Sequence, residues 1–193
     1  MNTIKEPQAI VRIEIIQDTD CESPRNWDNI GTMVSRQVLD GDISGDESVD
    51  DEAMQELIVR CQEESLVFTP FYALIHSGVW LSTTKSFNGY TCQWDTSFAG
   101  LVYVENEKMI EEYGDLSLES KAKALGCLEG EVEVYGQFLQ GDVYGFHAYN
   151  SDGEEVDSCW GFYGSDPMEN GMAEHIESEF HELLKVAEIV YPQ

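Results

Sequence analysis

The sequence predicts an α+β fold: a largely antiparallel sheet built from hairpins, with helices between and after the strands. Three observations lead there. Short runs rich in β-branched and aromatic residues recur, several of them joined by Gly, Asp or Asn turns. Between them lie segments whose apolar residues return every three or four positions. Finally, 38 Asp and Glu stand against only 10 Lys and Arg, a formal net charge of −28 on 193 residues, yet 42% of the chain is hydrophobic and 11% aromatic. A chain this charged but poor in apolar residues stays disordered; this one has enough of them to bury a core. One domain over 1–193 is expected, with 18–64 as an acidic N-terminal elaboration.

From Ala9 to Gln17, Val11, Ile13 and Ile15 alternate with Ile10, Arg12 and Glu14, which reads as a strand with one buried face. The polar stretch 18–25, with Ser23-Pro24, is a turn or loop. Ile30, Met33, Val34 and Val38 fit one side of a helix over 26–39, although Gly31 and Thr32 weaken it. A helix near 50–64 is better marked. Met54, Leu57, Ile58 and Cys61 recur at helical spacing, and Asp51, Glu52 and Glu56 lie in the first turns, where the helix dipole favours carboxylates. Leu66 to His76 is a continuous apolar run and reads as a buried strand with an edge or bulge at Pro70. His76-Ser77-Gly78 turns it back into a strand over Val79 to Thr84, and Phe98 to Val104 is another. A short helix follows near 105–113. A longer one near 117–139 has Ser117 as its cap, with Gly126, Gly130 and Gly136 weakening its continuity. Asn150-Ser151-Asp152-Gly153 joins strands over Asp142 to Tyr149 and Glu154 to Tyr163 in a hairpin. A C-terminal amphipathic helix is expected near 168–189, because Met172, Ile176, Phe180, Leu183, Leu184 and Ala187 fall within one arc.

The charge is unevenly placed. Between Lys123 and Lys185 there is no base but fourteen carboxylates, among them Glu129, Glu131, Glu133, Glu154, Glu155, Glu174 and Glu177. A second concentration holds Asp40, Asp42, Asp46, Glu47, Asp50, Asp51, Glu52 and Glu56, with no base from Gln37 to Val59. Like charges repel within a small volume, so an excess of this size points to a basic protein partner and to these carboxylates as its contact surface. Ten dispersed bases do not make the stripe that neutralises phosphates, so direct nucleic-acid binding is not expected. No window approaches the roughly 20 apolar residues of a membrane span. The first residues lack a signal peptide's apolar run, and Cys21, Cys61, Cys92, Cys127 and Cys159 contain no Cys-x-x-Cys pair. Reduced thiols in a cytoplasmic protein are the expectation.

Three patterns invite chemistry. Asp40-Gly41-Asp42-Ile43-Ser44-Gly45-Asp46-Glu47-Ser48-Val49-Asp50-Asp51 matches part of a calcium loop: carboxylates at one, three and twelve (Asp40, Asp42, Asp51), a hydroxyl at five (Ser44) and glycine at six. Glu47 at position eight and the short Asp51 at twelve depart from that template, and chance matches are frequent in so acidic a chain. A solvated acidic loop is therefore the first expectation and a calcium site the alternative. His175 and His181 stand six apart, roughly 240° around a helix, which excludes the helical zinc pair. Cys159 with His147 and Asp157 suggests a nucleophile, a base and an orienter. A two-residue Asp152-Gly153 turn pairs His147 with Ser158, however, and puts Cys159 on the other face of the strand. A packed thiol is the expectation; no active site and no cofactor is anticipated.

Four words of the sequence resemble a family of small acidic proteins from bacteriophages and mobile elements, over most of the chain. They are Ser23-Pro24-Arg25-Asn26-Trp27-Asp28-Asn29-Ile30-Gly31-Thr32-Met33, His76-Ser77-Gly78, Trp94-Asp95-Thr96 and Asp157-Ser158-Cys159-Trp160-Gly161-Phe162-Tyr163-Gly164. Family members carry His and aromatic residues after Gly-Thr-Met, whereas here Ser35-Arg36-Gln37-Val38 and the acidic loop follow. The resemblance brings no activity or site; what it implies is a setting in the host-cell cytoplasm. A phage or plasmid product of this charge is similar to the anti-restriction and anti-CRISPR inhibitors that imitate DNA, whose duplex carries about one charge per 1.7 Å. The expectation is a DNA mimic that occludes the basic groove of a host nuclease or DNA-binding defence complex. The alternatives are a general acidic interaction module and a calcium-binding protein.

Overall fold

The computed structural model describes residues 9–37, 43–75, 78–87 and 96–192. Among them, in chain order, are β1 (Arg12–Gln17), a 3-10 turn (Pro24–Asn26), β2 (Thr32–Arg36), β3 (Glu47–Val49), α1 (Asp51–Glu63), β4 (Val67–Ile75), β5 (Val79–Ser82) and β6 (Thr96–Val104). They continue with α2 (Asn106–Tyr113), α3 (Leu118–Gln140), β7 (Val143–Tyr149), β8 (Glu155–Tyr163), 3-10 turns at Met172–His175 and Ser178–Phe180, α4 (His181–Lys185) and β9 (Ile189–Val190). The class is α+β, as expected, but the strands form two sheets. The chain gathers into two compact units, Met1–Cys21 with Gly141–Gln193, and Glu22–Gln140. Residues 18–64, expected as an acidic N-terminal elaboration, divide between the two units after Cys21.

In the unit from Glu22 to Gln140 the strand order is β3-β2-β6-β4-β5, antiparallel except for the parallel pair β2/β3. Both faces are covered. Val34, Leu101 and Tyr103 pack with Met54 and Cys61 of α1; Met33, Val102 and Val104 pack with Met109 of α2 and Ala124, Leu128 and Val132 of α3. Each large apolar side chain buried this way contributes about 1.5–3 kcal/mol. The double cover corrects one expectation. Of the helix expected over 26–39, the described residues 26–37 are not α-helical: Met33 and Val34 serve opposite faces of strand β2, so the alternation that marks a half-buried strand is missing from the sequence. Residues 38–39 lie outside the described residues. Pro70 faces Leu101 of β6 and lies beyond the reach of β5, whose last partner is Tyr72; a bulge follows between Phe71 and Tyr72. α3 is continuous through its three glycines, with Ser117 Oγ accepting the N–H of Ser120 at 3.2 Å.

The other unit has strand order β8-β7-β1-β9, antiparallel except for β1/β9. Its core is Ile13, Ile15, Tyr144, Phe146, Ala148, Phe162, Met172, Ile176 and Leu184. The hairpin turn spans one residue more than expected, with Asn150 N–H donating to Glu154 O at 3.0 Å. Val156 then bulges out of register, so His147 still pairs with Ser158 and Cys159 with Phe146. The C-terminal amphipathic helix over 168–189 does not exist. Gly171 adopts φ +90°, Ile176 is extended, and only His181–Lys185 is α-helical. His181 Nε2 donates to the carbonyls of Ala173 and Ile176, both at 3.0 Å, where helical N–H groups would otherwise bond. Met172, Ile176 and Leu184 reach the core along this tighter path.

Candidate functional site

Charge pairing inside each unit decides which carboxylates face outward. Among the described residues, Arg12 pairs with Glu14, Arg25 with Asp46 and Glu131, Arg36 with Asp51, and Arg60 with Glu64 and Glu105. Lys108 reaches Asp28, Glu111 and Glu112, Lys123 reaches Glu119, and Lys185 reaches Glu182. The other two described lysines are also held: Lys121 donates to Ser65 O at 2.8 Å and Lys85 lies 5.3 Å over the Tyr72 ring. Every described Lys and Arg is thus engaged within its own unit.

The best buried of these pairs centres on Arg25, whose side chain is 5% exposed. Its guanidinium donates through Nε and Nη2 to Asp46 (2.9 and 2.6 Å), through Nη1 to Glu131 (2.8 Å) and through Nη2 to Gly31 O (2.7 Å). The same carboxylates accept backbone bonds, Glu131 from Ile30 and Gly31, Asp46 from Met33. Those hydrogen bonds and charges hold the Arg25 pKa above its ordinary value against the opposing cost of burial. Ser23 Oγ caps the 3-10 turn by accepting Arg25 N–H, Pro24 opens it, and Asn29 Nδ2 donates to Pro24 O. The sequence word from Ser23 to Met33 is therefore the frame of an ion-paired strut between that segment, Asp46 and α3.

Placed against this frame, the residues read from the sequence separate into groups. Asp40 and Asp42 lie outside the described residues. Asp46 and Glu131 are engaged by Arg25, and Asp51 by Arg36 at 2.6 Å. Asp50 caps α1 by accepting Ala53 N–H at 2.9 Å. Glu155 meets His147 Nδ1 at 2.6 Å, and Glu154 accepts from Asn150. Glu47, Glu52, Glu129, Glu133, Glu174 and Glu177 are exposed. On α1, Glu52, Glu56 and Glu63 stand within about 40° of one another, about 6 and 10 Å apart along the axis, and form one carboxylate stripe. Glu129 and Glu133, one turn apart on α3, line a groove of about 480 Å³ with Trp80, Phe87 and Gln137. Glu63 was missed in the sequence, although its spacing from Glu52 and Glu56 on a helix would have found it; the engagement of Asp46 and Glu131 left no local signal.

Ser44 and Asp51 are separated by the extended strand β3, Ser44 O accepts from Ser35 Oγ, and Asp51 serves Arg36. Among the described residues no three His, Cys, Asp or Glu side chains gather as a metal requires. Cys159 has its Sγ 3.9 Å from Nδ1 of His175, while His147 lies on the opposite face of the sheet. His175 lines a recess of about 310 Å³ with Asp157, Glu177 and Glu179. No described helix is long and apolar enough to cross a membrane. Comparison of the chain with protein-family models, with curated proteins and with solved structures returns no match.

Proposed function

We propose that this chain is an acidic inhibitor that occupies the cationic groove of a nucleic-acid-binding protein, presenting carboxylates where phosphates would otherwise lie. The observation that carries this reading is the engagement of every described base within its own unit, most of them by carboxylates, while Glu47, Glu52, Glu129, Glu133, Glu174 and Glu177 stand exposed. Both units are acidic: sixteen Asp and Glu against three Lys and Arg in one, twenty-two against seven in the other. Carboxylates fixed on a packed helix offer a basic groove an ordered anionic array, which steers association and costs little side-chain ordering. The stripe Glu52, Glu56, Glu63 and the pair Glu129, Glu133 are the principal contacts in this reading. Resemblance to phage and mobile-element proteins favours host restriction nucleases and CRISPR effector complexes as the partner class.

The test is displacement of a labelled 30-base-pair duplex from such complexes. Wild-type protein displaces the duplex, and a variant carrying Gln at 52, 56, 63, 129 and 133 does so on the order of tenfold less well or worse. Equal potency of the two proteins removes these carboxylates from the mechanism.

A further inference from the structure

The outer face of the β8-β7-β1-β9 sheet, opposite its core, carries an open aromatic array. Strand register sets it in three rows: Trp160, Gly145, Ile16 and Val190; Ser158, His147 and Glu14; Glu155, Tyr149 and Arg12. Gly145 is what lets the indole of Trp160 lie against the sheet. A Cβ there would stand 2.3 and 2.4 Å from Trp160 Cε3 and Cδ2. His147 braces the indole edge-on, with ring centroids 5.4 Å apart, and is itself held by Glu155 at 2.6 Å. Trp160 nevertheless remains 45% exposed, a large fraction for an indole fixed on two sides.

Two rows away the same face already holds a cation on an aromatic ring. The Arg12 guanidinium sits 4.1 Å over the Tyr149 ring and bonds to Glu14. Trp160 is the stronger cation–π acceptor of the two ring types, yet no described cation covers it: the unit's described bases are Arg12 and Lys185, and Lys185 is paired with Glu182. We propose that this face receives a guanidinium or ammonium side chain of a basic protein partner, seated on the exposed indole of Trp160, with the unit's excess of carboxylates drawing the cation in. Charge complementarity selects that occupant. The unit carries sixteen carboxylates against three bases, which repels a nucleic-acid strand and attracts a cationic side chain. An exposed aromatic within an anionic surround is also the composition of an interface anchor. The inference rests on the proposed binding of a basic protein and adds to it a specific apolar contact.

The experiment titrates the full chain, labelled with ¹⁵N in its indoles, with hexa-arginine and hexa-lysine peptides at 50 mM salt. Hexa-arginine is expected to shift the Trp160 indole signal, and Trp160→Ala to weaken its binding on the order of tenfold, with Trp160→Phe intermediate. Retained β7 and β8 amide signals certify the fold of each variant. A Trp160 indole signal that stays put at saturating peptide overturns the inference, even if Trp160→Ala fails to fold. So does a folded Trp160→Ala variant that binds as wild type, or saturation of that signal by a ten-residue oligothymidylate in place of peptide. If Trp160→Ala is silent while the five-Gln variant binds weakly, this inference falls and the electrostatic reading stands. The reverse pattern keeps Trp160 and removes the helix carboxylates.

Discussion

Arg25 concentrates the structural use of charge into one side chain. Its removal leaves Asp46 and Glu131 facing each other without a cation, Glu131 in a setting only 12% exposed. Breaking a buried ion pair from one side costs on the order of 3–5 kcal/mol, so Arg25→Ala is expected to lower unfolding free energy in urea by about that much. Arg25→Lys keeps the charge but loses the fork that spans Asp46 and Gly31, and should recover only part of the loss. An Arg25→Ala protein as stable as wild type would show that the strut carries no stability. A second residue-level expectation concerns Asp115, which accepts from Ser120 Oγ and Ser117 N–H ahead of α3. Those bonds stabilise its ionised form and pull its pKa down to about 2. The folded pKa lies below the unfolded value, so this contribution is complete above about pH 4 and is lost as pH falls towards 2. Carboxyl NMR shifts of Asp115 should titrate there; an ordinary midpoint near 3.9 would contradict the assignment. Little of this was readable beforehand. Arg25 looked like one of ten scattered bases, because Asp46 and Glu131 lie 21 and 106 positions away in sequence. Ser117 as a cap was readable, because capping is local.

Among elements, α3 makes the most useful test. A Cβ added at Gly126 or Gly130 meets nothing within 4 Å, whereas one at Gly136 comes 3.3 Å from Leu81. Gly in a helix interior costs about 1 kcal/mol relative to Ala. Gly126→Ala and Gly130→Ala should each raise the urea midpoint by up to that amount, and Gly136→Ala should gain less or lose. Destabilisation by the first two would mean that these glycines have a use the helix does not reveal. The same element shows why parts of the fold were legible. Helices 50–64, 105–113 and 117–139 were found within about a residue because each has one buried face and a polar one. β2 was misread because both of its faces are buried. The span 168–189 was misread because an apolar arc at helical spacing is also satisfied by 3-10 turns that deliver Met172, Ile176 and Leu184 to one core. Register in the last hairpin was predicted correctly at His147 only because the longer turn and the Val156 bulge offset each other.

For the whole chain, the net charge is the property that both stability and binding express. Self-repulsion of 28 uncompensated charges acts over tens of ångströms at low salt, where the Debye length is about 30 Å at 0.01 M, and is screened to about 8 Å at 0.15 M. Thermal unfolding should therefore move up by several degrees between 10 and 300 mM NaCl; a flat or falling midpoint would mean that the units feel little repulsion. Composition announced this charge at once. It did not announce that the segment Glu22–Gln140 interrupts the other unit, since β1 finds its partners β7 and β9 more than a hundred residues later. The central claim is that outward carboxylates bind a cationic groove in place of DNA. Its most direct test is the salt dependence of duplex displacement from a host restriction or CRISPR complex between 50 and 200 mM NaCl. A fall in apparent affinity of tenfold or more across that range, reduced in slope when Glu52, Glu56, Glu63, Glu129 and Glu133 become Gln, is the predicted result. Displacement that does not change with salt, or absent displacement at 50 mM, would contradict it.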